Sequence, residues 1–436
     1  MPIRSRLRKV LPDLSPLRES ADFRVLFIAG TVFYLGQMVS YVAVPYQVYR
    51  LTGSNLAVGL VGAVEVVPLL VFGLYGGAVA DHWDRKKILV STGVAQLLFT
   101  GVLALNAMAK QPHLWLIYVA AALLSAAGAL QRPSRDALLP RTVTHQQIPA
   151  ATALSWLGSH LGLFLGPTIG GLLIAGVGVG WCFVVDVVGL ALATLMFTRL
   201  GHFPHRGETR PPSLAGISES VRYAVGRRDL LGTYLVDIAA MFLAMPVVLF
   251  PALAETVWQR PELLGPLYSS QTVGSLIATV TAGWVSRVHH HGRAVVLAAA
   301  AFGVCVLLAG VSQSIWLVLF WLAASGAADT ISALFRATIW NQTIPDTMRG
   351  RLAGIEMLSY SIGPYGGQVR AGAAGSRPRP YRRTNGPQRW TGAQGRPLQA
   401  RPHCLTCRHL GGDERTTDDA KRDELGDRGV VVRGVR

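Results

Sequence analysis

The chain has 436 residues, of which 51% are hydrophobic and only 15% are charged. Soluble proteins carry charge on about 25% of their residues, so this composition argues against a soluble enzyme or a disordered chain and indicates a membrane protein. The 41 Lys and Arg residues outnumber 24 Asp and Glu residues, which gives a net charge of +17. Four cysteines are too few for a disulfide framework.

Eleven apolar segments are long enough to cross a bilayer, which takes about 20 residues in a helix. Lipid offers no hydrogen bonds to an open backbone, so each segment is expected to be helical and the fold class to be all-α. The predicted spans are 25–49, 55–80, 88–109, 113–131, 150–175, 179–198, 230–254, 264–286, 293–311, 314–334 and 350–370.

The Lys and Arg residues outside these spans are distributed very unequally between the two sides of the membrane. The N-terminal segment and the loops on its side hold 23 of them, whereas the opposite loops hold only Arg50, Lys110 and Arg260. Cytoplasmic loops carry an excess of positive charge, so we expect a cytoplasmic N-terminus and a place in the cell's inner membrane. The charge follows sidedness and forms no single basic stripe, so nucleic acid is not an expected partner.

The longest loop on the cytoplasmic side divides the chain. This loop, 199–229, separates a six-helix bundle at 25–198 from a second helix bundle at 230–370. Residues 1–24 are expected to form a cytoplasmic N-terminal segment.

A short turn between the second and third spans holds Gly77, Asp81, Arg85 and Lys86. Asp81 ends one predicted helix, and the basic residues open the next. A carboxylate there can face a neighbouring helix N-terminus or a cation and hold the cytoplasmic side in one conformation. We name these four residues the latch. The alternative is a solvated turn that carries ordinary cytoplasmic charges.

The fifth span holds a glycine-rich motif made of Gly162, Gly166, Pro167, Gly170 and Gly171. Glycines four residues apart lie on one helix face and let a second helix approach closely. Pro167 removes a backbone donor and permits a kink. Generic close packing of helices is the alternative reading of this motif.

The two motifs resemble signatures of the major facilitator superfamily. The first resembles Gly-x-x-x-Asp-Arg-x-Gly-Arg-Arg/Lys, with His82 and Asp84 departing from it, and the second resembles the helix-five motif of proton-coupled exporters. Further matching segments are similar to the enterobactin (siderophore) exporter and multidrug-efflux branch; they are 42–45, 58–60, 76–81, 85–87, 167–171, 251–254, 343–345 and 350–351. The resemblance implies two six-helix pseudo-repeats with a substrate site between them, and no enzymatic activity.

Carboxylates inside membrane spans are costly and are therefore candidates for function. A carboxyl group in low dielectric takes up a proton more readily than one in water, so Glu65 and Asp237 are the first proton-coupling candidates, followed by Asp186 and Glu356. The alternative for each is an interhelical hydrogen bond or ion pair, and a pair with Arg336 is the expected role of Asp329. Polar and aromatic residues that could line a cavity are Gln37, Tyr41, Gln96, Trp156 and Gln271.

The composition changes after residue 370. Residues 371–436 include 21 charged residues and 15 Gly or Pro, and they lack a twelfth apolar span. We expect a disordered tail, and we hypothesise a reading-frame shift near residue 370, which translation of the neighbouring frame would test. A native regulatory tail is the alternative.

These observations predict a transporter that exports a small amphipathic molecule, a siderophore or a drug, in exchange for protons. The expected partners are the lipid bilayer, the substrate and protons, and the expected state is a monomer. No Gly-x-x-x-x-Gly-Lys-Ser/Thr loop, cofactor motif or metal site is found in the predicted spans. The alternatives are a broad multidrug antiporter and a truncated, transport-dead protein with a binding or regulatory role.

Overall fold

The computed structural model of the chain describes residues 13–82, 84–201, 222–223, 226–344 and 346–376. These residues form eleven long helices and no strand, which confirms the all-α prediction. The helices are α1 (Ala21–Thr52), α2 (Asn55–His82), α3 (Arg85–Met108), α4 (Leu114–Thr142), α5 (Ile148–Gly176), α6 (Val179–Thr198), α7 (Arg228–Leu243), α8 (Leu264–Val280), α9 (His291–Val311), α10 (Ile315–Thr343) and α11 (Asp346–Gly375).

Local sequence signals explain where several helices begin and end. The Ser20 hydroxyl accepts a hydrogen bond from the Phe23 amide and caps the start of α1. Gly53 ends α1 with φ of 63°, a left-handed conformation that glycine adopts without steric cost. Asp84 caps the start of α3 by accepting a hydrogen bond from the Lys86 amide at 2.9 Å. The chain therefore turns sharply between consecutive long helices.

Nine helices in the described ranges are long and apolar enough to cross a membrane, among them α1 to α6. The predicted span 230–254 is interrupted, because α7 ends at Leu243 and the chain resumes as short turns from Val247 to Val257. Pro246 explains the break, since a proline lacks an amide donor and disfavours a helical residue before it. Another difference is the shorter α8, with 17 residues followed by a 3₁₀ segment, Ala282–Arg287.

The two halves pack in related ways. In the first half α1 packs on α5 and α6, and α3 packs on α4 and α6. In the second half α7 packs on α11, and α10 packs on α8 and α9. Within the described ranges, the second half has five long helices where the first has six. Helix α11 extends to Gly375, five residues beyond the predicted span, and residues 377–436 lie outside the described residues.

Candidate functional site

The two halves meet backbone to backbone where α5 ends and α8 begins. A Cβ atom at Gly171 would lie 2.5 Å from the Gly265 nitrogen, so neither helix has room for a side chain there. One turn away, the hydroxyl oxygens of Thr168 and Ser269 are 3.0 Å apart. The Ser269 hydroxyl also donates to the Phe164 carbonyl at 2.9 Å. These contacts fix α5 of the first half against α8 of the second.

A second contact between the halves joins the start of α2 to the end of α11. The Asn55 side-chain amide donates to the Gly375 carbonyl at 3.1 Å, and the Leu56 amide donates to the Ser376 hydroxyl at 2.8 Å. A Cβ atom at Gly59 would lie 2.6 Å from the Gln368 carbonyl oxygen. The small residues of α2 and α11 thus let these two helices approach closely, at the end of the bundle where α5 meets α8.

A third contact is made by Tyr46 near the end of α1. Its hydroxyl donates to the carboxylate of Glu255, which belongs to the interrupted segment after α7. The guanidinium of Arg50 lies 6.0 Å from the centre of the Tyr46 ring, a cation–π distance. Because α1 and α5 finish and α2 and α8 begin at this end, all three contacts join the halves on the side opposite the start of α1.

Glu65 lies on α2, the helix of the first half that packs against α11 of the second half. A Cβ atom at Gly62, one turn before Glu65, would lie 2.5 Å from the side-chain oxygen of Gln368 on α11, and Tyr365 is one turn before Gln368. Tyr41 packs edge-on against Tyr268 of α8, with ring centres 5.7 Å apart. Tyr41 is 38% exposed, so its neighbours leave part of its ring uncovered. Sequence analysis selected Glu65 and Tyr41, but it missed Tyr268 and Tyr365 because only the fold brings α8 and α11 to them.

Asp186 of α6 is buried inside the first half. The Ser40 hydroxyl of α1 donates to one of its carboxylate oxygens at 2.5 Å. A Cβ atom at Gly36 would lie 2.6 Å from the other carboxylate oxygen, so glycine makes room for the carboxyl group. This geometry is an interhelical hydrogen bond that joins α1 to α6.

The other buried carboxylate that makes a clear contact is Asp237 of α7. It forms an ion pair with Arg336 of α10, and the two side chains are only 5% and 3% exposed. The expectation that Arg336 pairs with Asp329 is therefore wrong. On the same two helices, the Trp340 indole donates to the Thr233 hydroxyl at 3.0 Å. A polar network thus joins α7 to α10 inside the second half.

The latch residues make their described contacts within the first half. Arg85 donates to the Ala137 carbonyl of α4 at 3.1 Å. The Lys86 ammonium donates to the Leu200 carbonyl just after α6 at 2.5 Å. Gly77 and Asp81 lie on the last turns of α2, and their side-chain surroundings are outside the described structure.

The glycine motif of α5 faces two different helices. Gly162, Gly166 and Gly170 face α1, where Cβ atoms would meet Tyr34, Met38 and the Val39 carbonyl, respectively. Gly171 faces α8 of the other half. The motif therefore combines packing within the first half with the contact between halves, and the kink-permitting Pro167 is buried between the two.

The remaining predicted positions have different surroundings. Gln96 is buried in the α3–α4 contact, where its amide donates to Gln131 at 3.0 Å, so it lies within helix packing and not on the cavity wall we expected. Gln271 donates to Ser325 of α10 at 3.3 Å. Trp156 is 65% exposed on α5, and Gln37 is partly buried on α1. The side chain of Glu356 lies outside the described structure.

The described residues contain no group of three or more His, Cys, Asp or Glu side chains that could hold a metal ion.

A protein-family model described as transmembrane secretion effector matches residues 12–375 of the chain. The enterobactin exporter EntS of Escherichia coli O1:K1 is 28% identical over 372 residues, which cover 84% of this chain and 88% of that protein. EntS of Shigella boydii serotype 18 matches to the same extent.

Solved structures of transporters share the fold at low sequence identity. The nucleoside transporter NupG is 11% identical with a TM-score of 0.65, covering 81% of this chain and 90% of that one. A bacterial homolog of the human lysosomal transporter Spinster, inward-facing and unoccupied, is 14% identical with a TM-score of 0.62, covering 79% and 80%.

Proposed function

The chain belongs to the transmembrane secretion effector family, within the major facilitator superfamily, and is a multi-pass membrane efflux transporter; we propose that it exports a siderophore or a drug in exchange for protons. The relative named enterobactin exporter supports a substrate that is small and amphipathic. The observation that carries the proposal is the position of Glu65, a carboxylate on the membrane helix α2 at the level where α2 packs against α11 of the other half. A site that holds both a carboxylate and aromatic rings can bind a proton or an amphipathic molecule.

Alternating access would use the contacts already described. The halves touch where α5 ends and α8 begins, on the side opposite the start of α1. With a cytoplasmic N-terminus, these contacts close the outer side of the transporter. The substrate would then reach the space between the halves from the cytoplasm. Export then requires these contacts to break while the cytoplasmic ends close. In that outward-facing state, Asp81, Arg85 and Lys86 would stabilise the closed cytoplasmic side.

Proton coupling would involve the two carboxylates differently. Glu65 faces the space between the halves, where a proton and the substrate would compete for it. Asp237 is paired with Arg336 inside the second half, so protonation of Asp237 would remove the negative charge from this ion pair. Such a change favours repacking of α7 against α10. Helix α7 also packs on α11, and α11 packs on α2, the helix that carries Glu65.

Proton-dependent efflux of a labelled siderophore from proteoliposomes tests this function. An imposed proton gradient should drive efflux, and Glu65→Gln and Asp237→Asn should lose the dependence on the gradient. Glu262→Gln is the control, because Glu262 is an exposed carboxylate in the segment before α8. Efflux that is indifferent to the gradient would remove the antiport mechanism.

Substrate competition separates the two substrate classes. A siderophore exporter should be inhibited by unlabelled siderophore and little affected by cationic drugs, whereas a multidrug antiporter should respond to both.

A further inference from the structure

Helix α5 carries a histidine, His160, that has no part in the function proposed above. It lies four residues before Phe164 and eleven before Gly171, so all three share one side of α5. That side meets α8 of the second half, because the Phe164 carbonyl accepts a hydrogen bond from Ser269 and Gly171 lies against Gly265. His160 is therefore on the surface of α5 that is directed toward the other half.

The contact between α5 and α8 ends one turn short of His160. Toward the start of α5, Phe164 is the last residue that a hydrogen bond joins to α8 within the described ranges. Around His160, the side chains of Trp156, Leu157 and Leu161 are all exposed. The two helices thus separate here, toward the end of the bundle where α1 begins.

The imidazole of His160 has one nitrogen in a hydrogen bond. Nδ1 lies 2.8 Å from the Trp156 carbonyl, which can only accept, so Nδ1 carries a proton and donates. The Trp156 ring lies beside the imidazole, with ring centres 6.0 Å apart. Nε2 makes no hydrogen bond with any described residue and can take up a proton from water between the halves. Histidine is the side chain whose charge changes near neutral pH.

The elements packed against α5 carry other charged or titratable groups, and none of them in the described structure forms a hydrogen bond or ion pair with His160. Tyr34 of α1 lies against Gly162, on the side of α5 that faces α1. The remaining groups of this kind are Arg135 and Asp136 of α4, Cys182 of α6, Glu19 in the segment before α1 and Tyr268 of α8. A protonated His160 is thus stabilised mainly by water.

Closure of the cytoplasmic side would remove that water. Export requires the cytoplasmic ends of the two halves to approach each other. The part of α8 that continues beyond its contact with α5 is residues 272–280, and this stretch contains no ionisable side chain. It offers no counter-ion to an imidazolium, and burial of an unpaired charge costs far more than burial of a neutral ring.

We propose that His160 controls closure of the cytoplasmic side: the neutral imidazole lets α5 approach α8, and the protonated imidazole keeps the two helices apart. The inference rests on the proposed export function. Its consequence is that export slows when the cytoplasm becomes acidic, because closure has to await loss of the proton from His160.

The distance between the cytoplasmic ends of α5 and α8 tests the proposal. Spin labels would be attached to Thr152→Cys and Val280→Cys, which are exposed positions, in the full-length chain with its native cysteines replaced by alanine. Pulsed electron resonance in lipid nanodiscs would give the ratio of closed to open molecules from about pH 5 to about pH 8. Linkage to one proton changes an equilibrium by up to about tenfold per pH unit, and the wild-type ratio should rise with pH.

Two variants with a fixed charge at this position should lose the pH dependence in opposite ways. His160→Gln should be as closed at every pH as the wild type is at the upper end of the range, whereas His160→Lys should stay open throughout. His145→Gln is the matched control and should follow the wild type, because His145 is an exposed histidine just before α5.

Several outcomes would overturn the proposal. A wild-type ratio that does not change with pH is decisive without any variant. The same holds for His160→Gln with the full wild-type pH dependence, which would assign that dependence to another group, and for His160→Lys that closes as the wild type does. A closed form missing from both the wild type and His160→Gln would show that the charge on His160 does not limit closure. Loss of gradient-driven efflux with the pH-dependent closure intact would instead count against the proposed function alone.

Discussion

The guanidinium of Arg336 on α10 contacts the carboxylate of Asp237 on α7, and both side chains are almost fully removed from solvent. A charge pair in this environment makes each partner depend on the other, because removal of one leaves a buried charge without compensation. The contribution of this pair to the stability of the second half can therefore be measured without a transport assay.

Asp237→Asn should lower the free energy of unfolding by about 3–5 kcal/mol, since the buried guanidinium of Arg336 would lose the carboxylate that it contacts. The double variant Asp237→Leu with Arg336→Met should recover most of this loss, because neither charge remains. Thermal unfolding of the purified chain in detergent measures both. Glu262→Gln, an exposed carboxylate in the segment before α8, is the control and should change stability by less than about 0.5 kcal/mol. Equal losses in the single and double variants would show that the pair contributes nothing specific.

Gly166→Ala should destabilise the first half by about 1–3 kcal/mol, because its Cβ atom would press on Met38 and would lie 3.1 Å from the Leu35 carbonyl. Both contacts involve atoms near the α1 backbone, which cannot move aside as a flexible side-chain end can. Unfolding in detergent measures the change.

Gly128→Ala on α4 is the matched control, since no atom lies within 4 Å of its Cβ position. Alanine is favoured over glycine inside a helix by about 0.5–1 kcal/mol, so this variant should be neutral or more stable. If both variants behaved alike, the close approach of α5 to α1 would be of no energetic consequence.

The sequence predicts the helices and their buried carboxylates well, because hydropathy and the cost of a charge in lipid are local properties. It does not predict which charges meet. Asp329, two turns before Arg336 on the same helix, is the partner expected from the sequence, yet the ion pair forms with Asp237 on α7. In the same way, the periodic glycines of α5 indicate that a helix packs there, but only the fold identifies that helix as α1.

Thr168→Cys with Ser269→Cys should form a disulfide on oxidation, since the two hydroxyl oxygens that the sulfur atoms would replace are 3.0 Å apart. The disulfide would hold α5 against α8 and stop export, and a reductant should restore export. The native cysteines would first be replaced by alanine. A protease site introduced at 202–221 allows the chain to be cut between its two halves. The disulfide would then keep the two fragments together on a non-reducing gel. Each single cysteine variant is the control, and a cross-linked protein that still exports would show that this contact need not open.

Lys110→Cys and Arg199→Cys should react with an impermeant maleimide from opposite sides of the membrane. Both positions are exposed, and three helices, α4, α5 and α6, separate them along the chain. In intact cells the first should be labelled and the second protected until the membrane is permeabilised, because we expect the basic loops to face the cytoplasm. Among the native cysteines, Cys182 is buried and Cys305 partly buried, so the unsubstituted chain supplies the background. Equal labelling of both positions from outside would contradict three intervening membrane crossings, and with them the orientation on which the export direction depends.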